Sequence, residues 1–237
     1  MAAMTAVLAI SAYHPTMVFD WFLENLLVLV FVIALIASYR AVPLSRTSYV
    51  LIFLYLCFHE WGAHYKYDGV PLGEWIKVWL HTARNHYDRV LHFCFGLLLG
   101  YPMLEAYMHL TGVRNAWRYW FPLEASIAFG AIYEMIEATV AAYVSPEHGE
   151  AFVGMQGDMW DAQEDMALGL VGAVIAMIVT YAIDRHLANR PADTPRGAGS
   201  NKEDTPKNDD QSVSHHSSPH AIGSRKGPSI KPTGGGG

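Results

Sequence analysis

The chain has 237 residues, 52% of them hydrophobic and only 16% charged, with a formal net charge of −6. So few charges at this length argue against a soluble domain, and with no basic stripe to neutralise phosphates the composition excludes nucleic acid as a partner. The apolar residues run in blocks of roughly 20, long enough to cross a ~30 Å hydrocarbon core, so the lipid bilayer is the expected surrounding.

The expected fold is all-α, a polytopic transmembrane bundle. Met1–Tyr13 is apolar but short for a span. No Lys or Arg precedes Arg40, so this stretch lacks the basic region of a signal peptide. It reads as a shortened sixth helix or an interfacial segment. Five spans follow: Val18–Tyr39, Thr47–Tyr65, Asp88–Leu110, Trp117–Val144 and Asp165–Asp184. Between the second and third, Leu72, Trp75, Val78 and Trp79 recur at helical spacing around Glu74 and Lys77, the pattern of a short amphipathic helix lying on the membrane surface. Cys57 and Cys94 each sit inside an apolar run and read as small packing residues. Gly96 and Gly100, with Gly169 and Gly172, offer small faces for close helix contact in lipid. Glu105, His109 and Glu124 fall at the opposite helix ends from the other acids and read as an interfacial polar ring. After Arg190 the composition turns to Pro, Gly, Ser, Asn, Asp and Lys, so the expected division is a membrane domain over 1–190 and an unfolded polar tail over 191–237. His215, His216 and His220 belong to that solvated tail.

The acids and histidines of the spans gather at one set of ends. Asp20 and Glu24 open the first span; His59, Glu60 and His64 close the second; Asp88 and His92 open the third; Glu134 and Glu137 lie towards the exit of the fourth; Asp158, Asp161 and Asp165 open the fifth. Ionisable groups in a bilayer are costly and face a bundle interior or a cavity, so their convergence marks a functional site. Asp88 with His92, Glu60 with His64 and Asp161 with Asp165 are four apart, and Glu134 with Glu137 three apart, so each pair shares a helix face. Histidines among carboxylates form a hard N/O donor set suited to a divalent Zn, Mn or Fe ion, and helical bundles build such sites from facing helices. The candidate ligands are His59, His64, His92, Glu134 and Asp165; Glu137, Asp161 and Asp88 are candidates for catalytic acid/base work. Arg84, Arg89 and Lys66 at the same end would hold an anionic head group, or Arg84 and Arg89 would pair with the acids as a structural network. Arg40 and Arg46, Arg114 and Arg118, and Arg185 and Arg190 alternate to the other side. By the positive-inside rule that side is cytoplasmic, which puts the tail inside and the polar cluster at the outer interface.

Several strings in order resemble the YjdF-like family of bacterial inner-membrane proteins: Gly62-Ala-His-Tyr-Lys-Tyr67, Val70-Pro-Leu-Gly73, Ala83-Arg-Asn-His-Tyr-Asp-Arg89 with His92-Phe93, Tyr133-Glu134 with Glu137, and Gln156-Gly-Asp-Met-Trp-Asp-Ala-Gln-Glu-Asp-Met166. A fainter likeness, carried by the order Asp88…His92, Glu134…Glu137, Asp161…Asp165, extends to VanZ-like membrane proteins. The resemblance implies a small multi-pass protein of the bacterial inner membrane and fixes no reaction. Members of the family begin with a fuller first helix, so the short 1–13 segment is a departure.

Three function classes remain in play. One is a membrane enzyme whose metal or acid/base centre acts on a lipid-linked or amphiphilic substrate. The second is a proton- or metal-coupled carrier, or an envelope ligand-binding protein. The third is a structural membrane subunit. A homo-oligomer would supply the repeat symmetry that the single chain lacks.

Overall fold

A computed structural model describes residues 2–143 and 156–190, and among these the secondary structure is entirely helical. The α-helices are α1 (Ala2–Ser11), α2 (Val18–Ser38), α3 (Arg46–Tyr65), α4 (Pro71–Leu80), α5 (Tyr87–Thr111), α6 (Phe121–Tyr143) and α7 (Asp161–Ala188), with a 3-10 turn over Ala116–Tyr119 before α6. The tail and Val144, the last residue of the fourth expected span, lie outside the described residues.

The helix ends follow local chemistry. The Ser45 hydroxyl accepts from Ser48 N–H (3.2 Å) and caps α3; Pro71 opens α4; Gly112, at φ +71°, closes α5 as its N–H donates to Met108 C=O (3.0 Å). The last helix begins at Asp161, four residues ahead of its expected start, because acids in a first turn complement the exposed N–H groups there.

Among the described residues, four segments are long and apolar enough to cross a membrane: Val18–Ser38, Tyr87–Thr111, Ala116–Tyr143 and Asp161–Ala188. α3 has the length, 20 residues, but its Arg46, His59, Glu60 and His64 keep it below the apolar level of those four. α1, at 10 residues, covers only about 15 Å and is too short to cross.

α5 stands at the centre, against α3, α6 and above all α7. A Cβ on Gly96 would strike the Gly169 carbonyl, and one on Gly172 the Phe93 carbonyl, so α5 and α7 meet backbone to backbone. Val28, Ile52, Leu56 and Leu99 form one buried cluster between α2, α3 and α5; Leu104, Ala176 and Met177 form another between α5 and α7. Large apolar side chains such as Ile33 and Ile36 on α2, and Ile178 and Val179 on α7, point outward, as lipid-facing residues do.

Candidate functional site

The chain between α4 and α5 and the start of α7 are locked together by one asparagine. Asn85 Nδ2 donates to Val70 C=O (3.2 Å) and to Glu74 Oε1 (3.0 Å), and its Oδ1 accepts from Tyr87 N–H (3.0 Å) at the first turn of α5. The backbone of Asn85 is clasped by the amide of Gln156, N–H to Oε1 at 2.9 Å and Nε2 to C=O at 3.2 Å. Those bonds place Arg84 and Arg89 over the first turn of α7. Arg84 pairs with Asp161 and lies 4.0 Å from Asp158; Arg89 reaches Asp158 and Glu164, both at 2.5 Å. Asp158 also accepts from Trp160 N–H (3.0 Å), and that bond together with Arg89 holds its carboxyl below the usual aspartate range. The Asn85 amide, followed by Lys77, does the same for Glu74.

Below this network lies a second layer, between α5, α6 and α7. Asp88, His92 and Asp165 each offer one ligand atom, all within 4.8 Å of one another. His92 Nε2 is 3.7 Å from Asp88 Oδ1 and 3.5 Å from Glu134 Oε1. Asp165 is 1% exposed, and among the described residues its Oδ1 meets no hydrogen-bond donor. Glu137 is buried beside this layer, within electrostatic reach of Asp88, Glu134 and Glu24.

A third group joins α2 to the rest. Glu24, 3% exposed, accepts from the hydroxyls of Tyr133 (3.1 Å) and Tyr67 (3.2 Å), and Tyr67 also meets His59 Nδ1 at 3.2 Å. Lys66 and Tyr67 take left-handed backbone, φ 57° and 49°, which folds the Tyr67 ring back over α3. There it rests against Gly62, where any side chain would collide with the ring. Burial pushes the Tyr67 phenol well above its ordinary range, so it stays protonated and donating. The rings of Tyr133 and His92 meet edge to face, centroids 5.7 Å apart, and connect this group to the second layer.

Comparison with known proteins fits such a molecule. A family model described as predicted membrane protein (DUF2238) matches residues 1–186. The chain belongs to the DUF2238 family. Over 161 residues it is 35% identical to the Escherichia coli (strain K12) inner membrane protein YjdF, an alignment covering 67% of this chain and 76% of that one. No solved structure matches. This DUF2238 chain is therefore a multi-pass membrane protein with an inner-membrane homologue, as the first resemblance implies. The fainter VanZ-like likeness gains no support from these matches.

Within this DUF2238 chain, the residues singled out by spacing separate into members and outsiders. Asp88, His92, Glu134, Glu137 and Asp165 come together, with Asp161, Arg84 and Arg89 just above them and His59 one group aside. His64 does not join: its Nδ1 lies 2.9 Å from Ser11 C=O of α1. Five residues along a helix turn through about 500°, so His59 and His64 face different neighbours. Lys66 pairs with Asp68 at 3.1 Å and stays clear of the arginine network. Cys57 and Cys94 are free thiols. Tyr67, Tyr133, Asn85 and Gln156 escaped the search by charge, although all four lie in the strings that carry the family resemblance.

Beside the polar layers, a partly open cavity of about 240 Å³ runs between α2, α3, α5 and α6. His59, Asp88, His92 and Tyr133 line one end, and Tyr55 with apolar side chains lines the remainder.

Proposed function

We propose that this protein is a membrane-embedded, metal-dependent hydrolase acting on a lipid-linked or amphiphilic substrate at the outer face of the inner membrane. In this reading α3 also spans, and the ends bearing Arg40, Arg46, Arg114, Arg118, Arg185 and Arg190, together with the 191–237 tail, face the cytoplasm. The observation that carries the proposal is the group Asp88, His92 and Asp165, three N/O donors within 4.8 Å of one another on two helices in direct backbone contact. Two carboxylates and an imidazole suit Zn, Mn or Fe, with Glu134 beside His92 as a further donor. Such an ion would supply an activated water near neutral pH. Glu137, buried within electrostatic reach of Asp88 and Glu134, would take the proton, and Asp161, held by Arg84, would position the arginine above the centre. Arg84 and Arg89 would hold the anionic head group, which would displace Asp158, the acid of that network with 29% of its side chain exposed.

The test is elemental mass spectrometry on detergent-purified protein beside a His92→Ala/Asp165→Asn double variant. Near-stoichiometric Zn, Mn or Fe in the native chain and its loss in the variant support the reading. No metal in the native chain after supplementation overturns it.

The Glu24, Tyr67, His59 and Tyr133 group favours a second reading, a proton- or metal-coupled carrier, because it lengthens the line of ionisable groups. Against it, past His59 and His92 the cavity lining is apolar apart from the Tyr55 ring, where a relay would need more polar groups. Proton flux in proteoliposomes that vanishes in Glu137→Gln would reverse the ranking.

A further inference from the structure

The cavity is split by polarity along its length. Its floor is His59, Asp88, His92 and Tyr133, while its walls run apolar from His92 to Leu99 on α5, about 10 Å of helix, and from Tyr133 to Phe129 on α6, about 6 Å, with the Tyr55 ring on the α3 side. A space walled in this way does not hold water well. Its flank is equally telling. Phe31 of α2 and Phe129 and Ile132 of α6 line the cavity, yet they are 37%, 53% and 47% exposed, on helices apolar enough to cross a membrane. The side of the cavity therefore faces hydrocarbon, not solvent. α2 is also lightly held, since it buries only the stripe Asp20, Glu24 and Val28. At the polar end Tyr133 ties α6 to that stripe through Glu24.

We infer that the cavity takes one hydrocarbon chain of a bilayer lipid, which enters sideways between α2 and α6 and brings its head group to Asp88, His92 and Tyr133. The inference rests on the proposed function for the chemistry performed there, but not for the presence of the chain. Lipid tails are as apolar as leucine, so moving a chain from bilayer to cavity gains little from the hydrophobic effect. Selection then falls to the polar floor and to the width between the two helices. The amphiphile's shape matches the cavity's: a long apolar part that never leaves a hydrocarbon surrounding, and one polar end delivered to the ionisable layers.

The experiment uses the full chain in nanodiscs containing phosphatidylglycerol with a photoactivatable diazirine in one acyl chain. After illumination, adducts are mapped by peptide mass spectrometry. Adducts on Leu27, Phe31 and Ile136 above those on the outward Ile178 and Val179 of α7 are expected. A Leu27→Trp/Ile136→Trp variant, which fills the cavity, should lower the α2 and α6 adducts about tenfold and leave the α7 adducts unchanged. Phe129→Ala, which widens the flank, should raise labelling of Leu27 and serves if the filled variant does not fold. Uniform labelling of all outward faces, or cavity adducts indifferent to both variants, overturns the inference. Metal content measured on the same samples separates the two readings. Metal-free native protein with intact cavity labelling sinks the metal centre alone, and metal-loaded protein without cavity labelling sinks the lipid chain alone.

Discussion

The two ends of the bundle handle acids in opposite ways. At the end bearing Arg114 and Arg118, every acid among the described residues meets a donor of its own. Glu105 accepts from Ser45 N–H (2.9 Å) and Ser48 hydroxyl (2.5 Å) at the start of α3, Asp184 takes Arg118 (2.6 Å) and Tyr119 (2.7 Å), and Glu124 takes the Trp120 indole (2.7 Å). At the other end the guanidinium groups Arg84 and Arg89 are spent on Asp158, Asp161 and Glu164. Asp88, Glu134, Glu137 and Asp165 remain together around a single imidazole, His92. Polar residues that merely fasten helices come matched one to one. An excess of buried acid costs free energy that fastening does not explain, and the excess is where function should be sought.

That contrast can be broken most severely at Arg84. Arg84→Ala leaves the buried Asp161 carboxylate with only the more distant Arg89, at 3.8 Å, and should cost about 3 kcal/mol, read as a large drop in thermal midpoint in detergent. Arg118→Ala at the other end removes a half-exposed pair and should cost about 1 kcal/mol or less. Equal losses at both ends would erase the distinction. Next in size is ligand linkage: a divalent ion at about 100 times its dissociation constant should stabilise the native chain by about 2.7 kcal/mol, and the His92→Ala/Asp165→Asn variant not at all. A shift of the same size in both proteins would locate the binding elsewhere. Smaller still is the acid limb. Asp158 and Glu74 have folded-state values below their unfolded ones, so the stability they contribute is present above the unfolded value, about 4, and is lost as pH falls through the folded value. Asp158→Asn/Glu74→Gln should flatten the fall in midpoint between about pH 5 and 3; an unchanged acid limb would refute the assignment. Smallest is Glu124→Ala, whose exposed indole bond should matter by no more than about 0.5 kcal/mol in the same melt.

Spacing made much of the site legible. Asp88 and His92 share a face because four residues nearly complete a turn, and helix alternation carries the acids of α2, α5, α6 and α7 to one end. Spacing alone could not tell that His64 turns to Ser11, because the short α1 that receives it was ambiguous as a segment. The tyrosines were hidden for a different reason. A tyrosine in an apolar helix reads as an interfacial ring, and only the tertiary fold shows Tyr133 donating inward to Glu24. Asn85 and Gln156 are 71 residues apart, and no local pattern announces their clasp. The expected span over Thr47–Tyr65 was read from length, which α3 has, more than from apolar content, which its polar residues dilute.

The glycine contact between α5 and α7 sets more than packing. Gly96 lies one helical turn from His92, and Gly169 one turn from Asp165. Asp88, His92 and Asp165 are thus carried by two helices whose main chains touch, with no flexible side chain between them to give way. The spacing of these donors is a property of the backbone, stiff in the way a welded joint is stiff. α2, which buries only Asp20, Glu24 and Val28, borders the flank of the cavity and carries none of these donors: the wall and the frame are separate parts.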